Sequence, residues 1–130
     1  MAARRLFSAA ARAPELIMLF DSSCPLCARE VAFLASRRRA HLVKFEDIAA
    51  PGFSAAPFSR SVDELARELH VFLPATRELH ARVPAFRRLY ATLFGADLLF
   101  FTQFFPFNAA ADGAYSSFLR HRHRLARLLA

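Results

Sequence analysis

The sequence predicts an α/β fold, on three observations. The apolar run Leu16 to Phe20 reads as a buried strand, because a turn signal follows it directly. Beyond the turn stand the only two cysteines, Cys24 and Cys27, where a helix should begin. Downstream, strand-like and helix-like stretches alternate until a long helical segment closes the chain.

The elements follow in order. Ser22 or Ser23 is placed to cap the first helix. Pro25 suits its first turn, where the N–H that proline lacks would be unpaired anyway. This helix is expected to run to about Arg37, with Cys27, Val31 and Leu34 on one face. Arg37, Arg38 and Arg39 close it at the negative end of the dipole. Leu42 to Phe45 reads as the second strand. Pro51, Gly52 and Pro57 mark a loop from Ala50 to Ser59. Ser61 and Glu64 form a capping box that opens a helix reaching about Leu69. Val71 to Leu73 is the third strand, Pro74 to Arg77 a turn, and Leu79 to Val83 a fourth strand. Pro84 starts the next helix, with Phe86, Leu89, Tyr90 and Leu93 at core spacing. Phe94 to Phe107 is aromatic and shows no clear period. The last helix spans about Ala110 to Leu129. A strand feeding a CxxC helix, and later a hairpin and a helix, is the order of the thioredoxin-like fold. Here that fold carries a C-terminal helical extension.

The 130 residues suffice for one compact domain, and a 55% hydrophobic content with 15 Phe supplies its core. Two cysteines cannot staple a secreted scaffold. The net charge is +7, nearly all of it from arginine, since Lys44 is the only lysine. Arginine forks clamp phosphates and carboxylates, although GC-rich coding gives the same bias. Residues 1–14 read as a segment apart from the single domain at 15–130. They hold Arg4, Arg5 and Arg12, no acid, and mostly alanine otherwise. That composition predicts a mitochondrial address, and an ordinary basic terminus shares it. No stretch reaches the roughly eighteen apolar residues that span a membrane. The greasiest region, Leu93 to Phe107, is broken by Gly95, Asp97, Gln103 and Pro106. It reads as a core element or a partner-facing surface.

The cysteine pair carries the chemistry. A thiolate attacks a disulfide, and the unpaired N–H groups at a helix start stabilise negative sulfur. Cys24, nearer the helix start, is the expected attacking thiol, and Cys27 the resolving one. Asp21 and Pro25 shape the site: Asp21 by accepting backbone N–H bonds or by repelling a Cys24 thiolate, Pro25 by starting the helix. Arg29 is the nearest positive side chain in sequence. Two plainer readings remain. A zinc site needs four ligands, but no second CxxC exists and His41, His70, His80, His121 and His123 are scattered, so no metal and no cofactor is predicted. The cysteines also suit the role of inert core residues.

The segment LFDSSCPLCAREVAFL resembles the signature of the DCC-type thiol–disulfide oxidoreductase family, through Asp21, Cys24, Pro25, Leu26, Cys27, Arg29 and Glu30. The likeness continues through Leu42 to Phe53, Leu69 to Pro74, Ala85 to Leu93 and the basic stretch Tyr115 to Leu125, with Arg122 and Arg124. It implies a thioredoxin-like fold and redox exchange with protein thiols or disulfides. The chain departs from the family in carrying Ser22 for a glycine, Ala75-Thr76-Arg77 for an Asp-Gly hairpin, and Pro84 before the Ala-Phe of the next helix. It also lacks the cis-proline that thioredoxins place before the third strand, where Glu68-Leu69-His70 stands.

Two surfaces point elsewhere. Arg120, Arg124 and Arg127 share one face of the last helix, and Phe118, Arg122, Leu125 and Leu129 another. The arginine face suits a partner: RNA, an anionic membrane surface or an acidic protein, or water alone. Phe100, Phe101, Phe104, Phe105 and Phe107 crowd together, some of them expected in the core. Three functions therefore compete: a dithiol oxidoreductase, a non-catalytic accessory subunit of a mitochondrial ribosome or respiratory complex, and a nucleic-acid binder.

Overall fold

The computed structural model describes residues 13–129. All but the last two residues of the segment 1–14 therefore lie outside the described residues. The elements are β1 (Leu16–Phe20), α1 (Pro25–Ala35), β2 (Val43–Asp47), α2 (Val62–Arg67), β3 (His70–Leu73), β4 (Glu78–Ala81), α3 (Arg82–Phe94) and α4 (Phe107–Leu129). Short 3-10 turns lie at Ala40–Leu42, Ala56–Phe58 and Phe100–Gln103.

The sheet order is β2-β1-β3-β4. β1 runs parallel to β2, with Leu16 opposite Val43, and antiparallel to β3, with Met18 opposite Val71. β3 and β4 form an antiparallel hairpin. β1 is apolar throughout because helices cover both of its faces. On one face Leu16 and Met18 pack with Leu34 of α1 and with Ala85, Leu89 and Leu93 of α3. On the other, Leu19 packs with Ile48, Phe58 and Leu65 of α2. Leu34 and Leu89 are wholly buried, and each such side chain contributes about 2–3 kcal/mol relative to exposure. This topology is the thioredoxin-like fold, with α4 as its extension.

Several boundaries differ from expectation for local reasons. α1 ends at Ala35, where the Ser36 hydroxyl donates to the Phe33 carbonyl at 2.6 Å. Arg37 still reaches that carbonyl at 3.3 Å, but Arg39 crosses to the Thr92 carbonyl near the end of α3, at 2.8 Å. The capping box forms as expected: the Ser61 hydroxyl accepts from the Glu64 N–H at 3.1 Å, and Glu64 accepts from the Ser61 N–H at 3.4 Å. α2 stops at Arg67 because Glu68 is already extended (φ −155°, ψ 165°) and leads into β3. In the hairpin, Arg77 takes the left-handed conformation (φ 60°) that a glycine would adopt without strain. Ser22, by contrast, is not among the residues with positive φ, so replacing glycine there strains nothing.

The phenylalanine segment departs furthest from expectation. Phe100, Phe101, Phe104, Phe105 and Phe107 are all exposed, Phe105 by 83%. The core clusters are filled from the strands and from α1, α2 and α3, which leaves these rings outside. Phe101 and Phe107 pack edge to face on each other, with centroids 5.4 Å apart.

α4 packs on α1 and α3, and one residue clamps it there. Arg82 binds Glu68 at 3.2 Å and Asp112 of α4 at 2.9 Å. It also donates to the Ser116 hydroxyl and lies over the Tyr115 ring, 5.1 Å from its centroid. Truncating this group strands Glu68, which is partly shielded from water, and frees the exposed Asp112 and with it α4. Arg82→Ala is expected to destabilise the protein by about 1–3 kcal/mol, against at most about 0.5 kcal/mol for the exposed Arg88→Ala. Urea unfolding of both variants checks this, and equal effects would show that α4 is not clamped through Arg82.

Candidate functional site

The site grows from the end of β1. Phe20 is the last residue of the strand, and the Ile48 N–H donates to its carbonyl at 2.9 Å. The chain then turns through Asp21, whose carbonyl accepts from the Cys24 N–H at 3.1 Å. The Asp21 carboxylate accepts both the Ser23 N–H, at 2.9 Å, and the Ser23 hydroxyl. Asp47, at the end of the neighbouring β2, accepts the Ser22 N–H at 3.1 Å and the Ala49 N–H at 2.9 Å. Hydrogen bonds from Ser22 and from the Ala49 N–H hold the Asp47 carboxyl below its ordinary range, against slight burial. These two aspartates occupy both serines. Neither serine caps α1 as expected; the N-cap is Cys24 itself, without a side-chain cap, and Pro25 begins the helix.

Cys24 thus stands at the mouth of α1, with its carbonyl accepting the Ala28 N–H at 3.0 Å, and Cys27 lies in the first turn. Both thiols are reduced and half-buried. Burial raises the Cys27 thiol to about 12, its hydrogen bond with Cys24 and the Cys24 and Glu30 charges add to the shift, and the Arg122 guanidinium opposes it. Glu30, one turn further along α1, is itself raised by burial and eased by a hydrogen bond with Tyr90. Tyr90 rises to about 12, first from burial and then from the Glu30 charge.

Both sulfurs line a cleft of about 690 Å³. Phe20 and Asp21 form its floor beside Cys24, Arg29 and Phe33 continue along α1, and Phe86 and Tyr90 come from α3. α4 closes it with Tyr115, Phe118, Arg122 and Ala126. The expected site residues Asp21, Cys24, Pro25 and Cys27 are therefore together, and Arg29 joins them. Arg120, Arg124 and Arg127 are exposed and line no part of the cleft. Arg122 instead turns inward and donates to the Ala66 carbonyl at 3.0 Å. Sequence reasoning put Tyr90 on a core face and counted Glu30, Tyr115 and Arg122 in the family likeness, but placed none of the four in the site. The spacing 115, 118, 122 and 126 on one helix face was the available signal for two of them. Among the described residues, no three His, Cys, Asp or Glu side chains gather to hold a metal ion.

A thioredoxin-like fold that opens its first helix on a CxxC pair defines a class, the thioredoxin-like thiol–disulfide oxidoreductases. The model of the DCC1-like thiol-disulfide oxidoreductase family matches residues 18–128, and the chain belongs to that family. No curated protein and no solved structure matches it.

The raised Cys27 value has a direct consequence. A thiol titrating near 12 gains thiolate about tenfold per pH unit well past the ordinary cysteine range. In Cys24→Ser, which isolates Cys27 and removes the part of the shift that Cys24 adds, burial still holds the thiol up, and iodoacetamide labelling should keep climbing through about pH 9 without levelling. Mass spectrometry of quenched samples follows this, and a plateau near pH 9 would contradict the desolvation of Cys27.

Proposed function

We propose that the protein exchanges two electrons with thiol or disulfide substrates through Cys24 and Cys27, in mitochondria. The observation that carries this reading is the dithiol itself, half-buried at the start of α1 and open to a cleft. In the reducing direction the Cys24 thiolate attacks a substrate disulfide. One substrate sulfur leaves as a thiolate, and a mixed disulfide forms at Cys24. Cys27 then gives up its proton and attacks Cys24 Sγ. The second substrate sulfur leaves, and the Cys24–Cys27 disulfide closes. The pair loses two electrons, the substrate gains them, and a thiol reductant restores the pair. Burial keeps Cys27 protonated at rest, so its deprotonation needs a nearby acceptor. Glu30 fits that role, since burial moves its own carboxyl toward the range where a proton is easily held and released. The basic, acid-free residues 1–14 support the mitochondrial address.

The five exposed phenylalanines favour a second reading, a thioredoxin-like subunit docked in a larger mitochondrial assembly. That reading leaves the placement of the dithiol without a purpose, and the first does not.

The reduced protein should accelerate exchange between dithiothreitol and 2-hydroxyethyl disulfide. Cys27→Ser should halt with the mercaptoethanol adduct on Cys24, and Cys24→Ser should lose the acceleration. Intact-mass measurement after acid quenching reads all three. A wild-type protein that accelerates nothing, and a Cys27→Ser variant that accumulates no adduct, would sink the exchange reading.

A further inference from the structure

We infer that the substrate is a small dithiol or disulfide with an apolar body and an anionic end, not an extended polypeptide. The inference deepens the exchange reading above and rests on it. Four observations on the cleft point the same way.

The first is size. A cleft of about 690 Å³ falls within the roughly 300–1,000 Å³ of small-molecule sites. The second is its walls. Leu26, Phe33, Leu69, Phe86, Phe118 and Ala126 surround the sulfurs with apolar surface, which favours an aliphatic or aromatic body over a hydrated one. The third concerns backbone pairing. A polypeptide substrate docks by adding its backbone to a free extended edge. The extended segment beside this dithiol has none to give at Leu69. Its N–H donates to the Tyr115 hydroxyl at 2.8 Å, and its carbonyl accepts the Arg82 N–H at 3.0 Å. Tyr115 comes from α4, so the added helix itself occupies this N–H.

The fourth is charge. Two carboxylates of the cleft are already bonded within the chain, Asp21 to Ser23 and Glu68 to Arg82. Arg122 spends one nitrogen on the Ala66 carbonyl. Among the described residues it forms no ion pair with a carboxylate. The rest of its planar fork is left for an anion, ideally a carboxylate. Arg122 and Cys27 both line this cleft, so one small molecule can reach both groups.

With a dithiol substrate and the oxidised protein, one substrate thiolate attacks Cys24 Sγ, and Cys27 leaves and takes a proton. The second substrate thiol attacks the mixed disulfide, its own S–S bond closes, and Cys24 leaves as thiolate. The substrate loses two electrons and two protons; the cysteine pair gains both electrons and the proton on Cys27, and the second proton goes to solvent. The reverse sequence reduces a disulfide of the same class.

The test uses the full chain, oxidised, in single turnover with quenching and mass spectrometry. Three dithiols serve as probes: dihydrolipoic acid, dihydrolipoamide and dithiothreitol. They differ in apolar chain and in charge. Dihydrolipoic acid should reduce the Cys24–Cys27 bond at least about tenfold faster than dithiothreitol. Arg122→Gln should raise its half-saturating concentration about tenfold and leave the amide within about twofold; Arg122→Lys should restore part of the loss. Ala126→Phe, which fills the cleft from α4, should slow both lipoyl probes and spare dithiothreitol. The inference is overturned if dithiothreitol or an unfolded two-cysteine peptide matches the acid, or if Arg122→Gln affects acid and amide alike. Failure of the exchange reading looks different: the cysteine pair then stays unreduced with every probe.

Discussion

The site exists because Arg82 holds α4 against the end of the sheet. Without α4 the dithiol would lie on an open surface, as the strand–turn–helix of β1 and α1 alone would leave it. Arg82 is suited to the task because it faces several acceptors at once. Glu68 comes from the strand entry, and Asp112 and Ser116 from α4. Those bonds, Asp112 first and then Glu68, hold its guanidinium charged beyond the ordinary arginine value. Its own backbone is left-handed (φ 63°) at the junction of β4 and α3. An arginine tolerates that conformation only where the surroundings determine it, at roughly 1–3 kcal/mol. The strain and the clamp sit in one residue. The ion pairs and the hydroxyl that bind its side chain are what offset the strained backbone.

The cleft that α4 completes is electrically lopsided. Cys24 sits at the mouth of α1 as its N-cap. Cys27, one turn in, has lost water and feels both Cys24 and Glu30, so it holds its proton. Two identical side chains thus stand in different surroundings one turn apart. Burial raises both Glu30 and Tyr90; the Glu30 charge raises Tyr90 further, while the hydrogen bond with Tyr90 lowers Glu30. Arg122 is the counterweight brought by α4, and among the described arginines of that helix it alone lines the cleft that holds the sulfurs.

How much of this was legible depended on range. The strand Leu16–Phe20, the CxxC at a helix start, Pro25 in the first turn and the Ser61–Glu64 box are all local, and each was readable from spacing and residue type. The serine cap on α1 was not. Asp21 takes Ser23 locally, and Asp47, 25 residues on, takes the Ser22 N–H. The Arg82 clamp joins residues 14, 30 and 34 positions apart, and no periodicity announces such a pair. Arg122 was placed on its helix but not on its partner, since a helical wheel gives faces and not what they face. The phenylalanine segment misled because an aromatic run has the same composition whether it fills a core or lies outside it.

The missing proline before β3 takes on a meaning in this frame. A fold of this kind that presents backbone to its substrates must keep the segment ahead of the third strand unpaired. Here Leu69 keeps its N–H, and Tyr115 from the added helix uses it. Burial raises that phenol, and the Leu69 hydrogen bond partly opposes the shift. The helix that takes this N–H also supplies Phe118, Arg122 and Ala126 to the cleft. Loss of a backbone dock and gain of a walled pocket are thus one structural change, and both follow from the docking of α4.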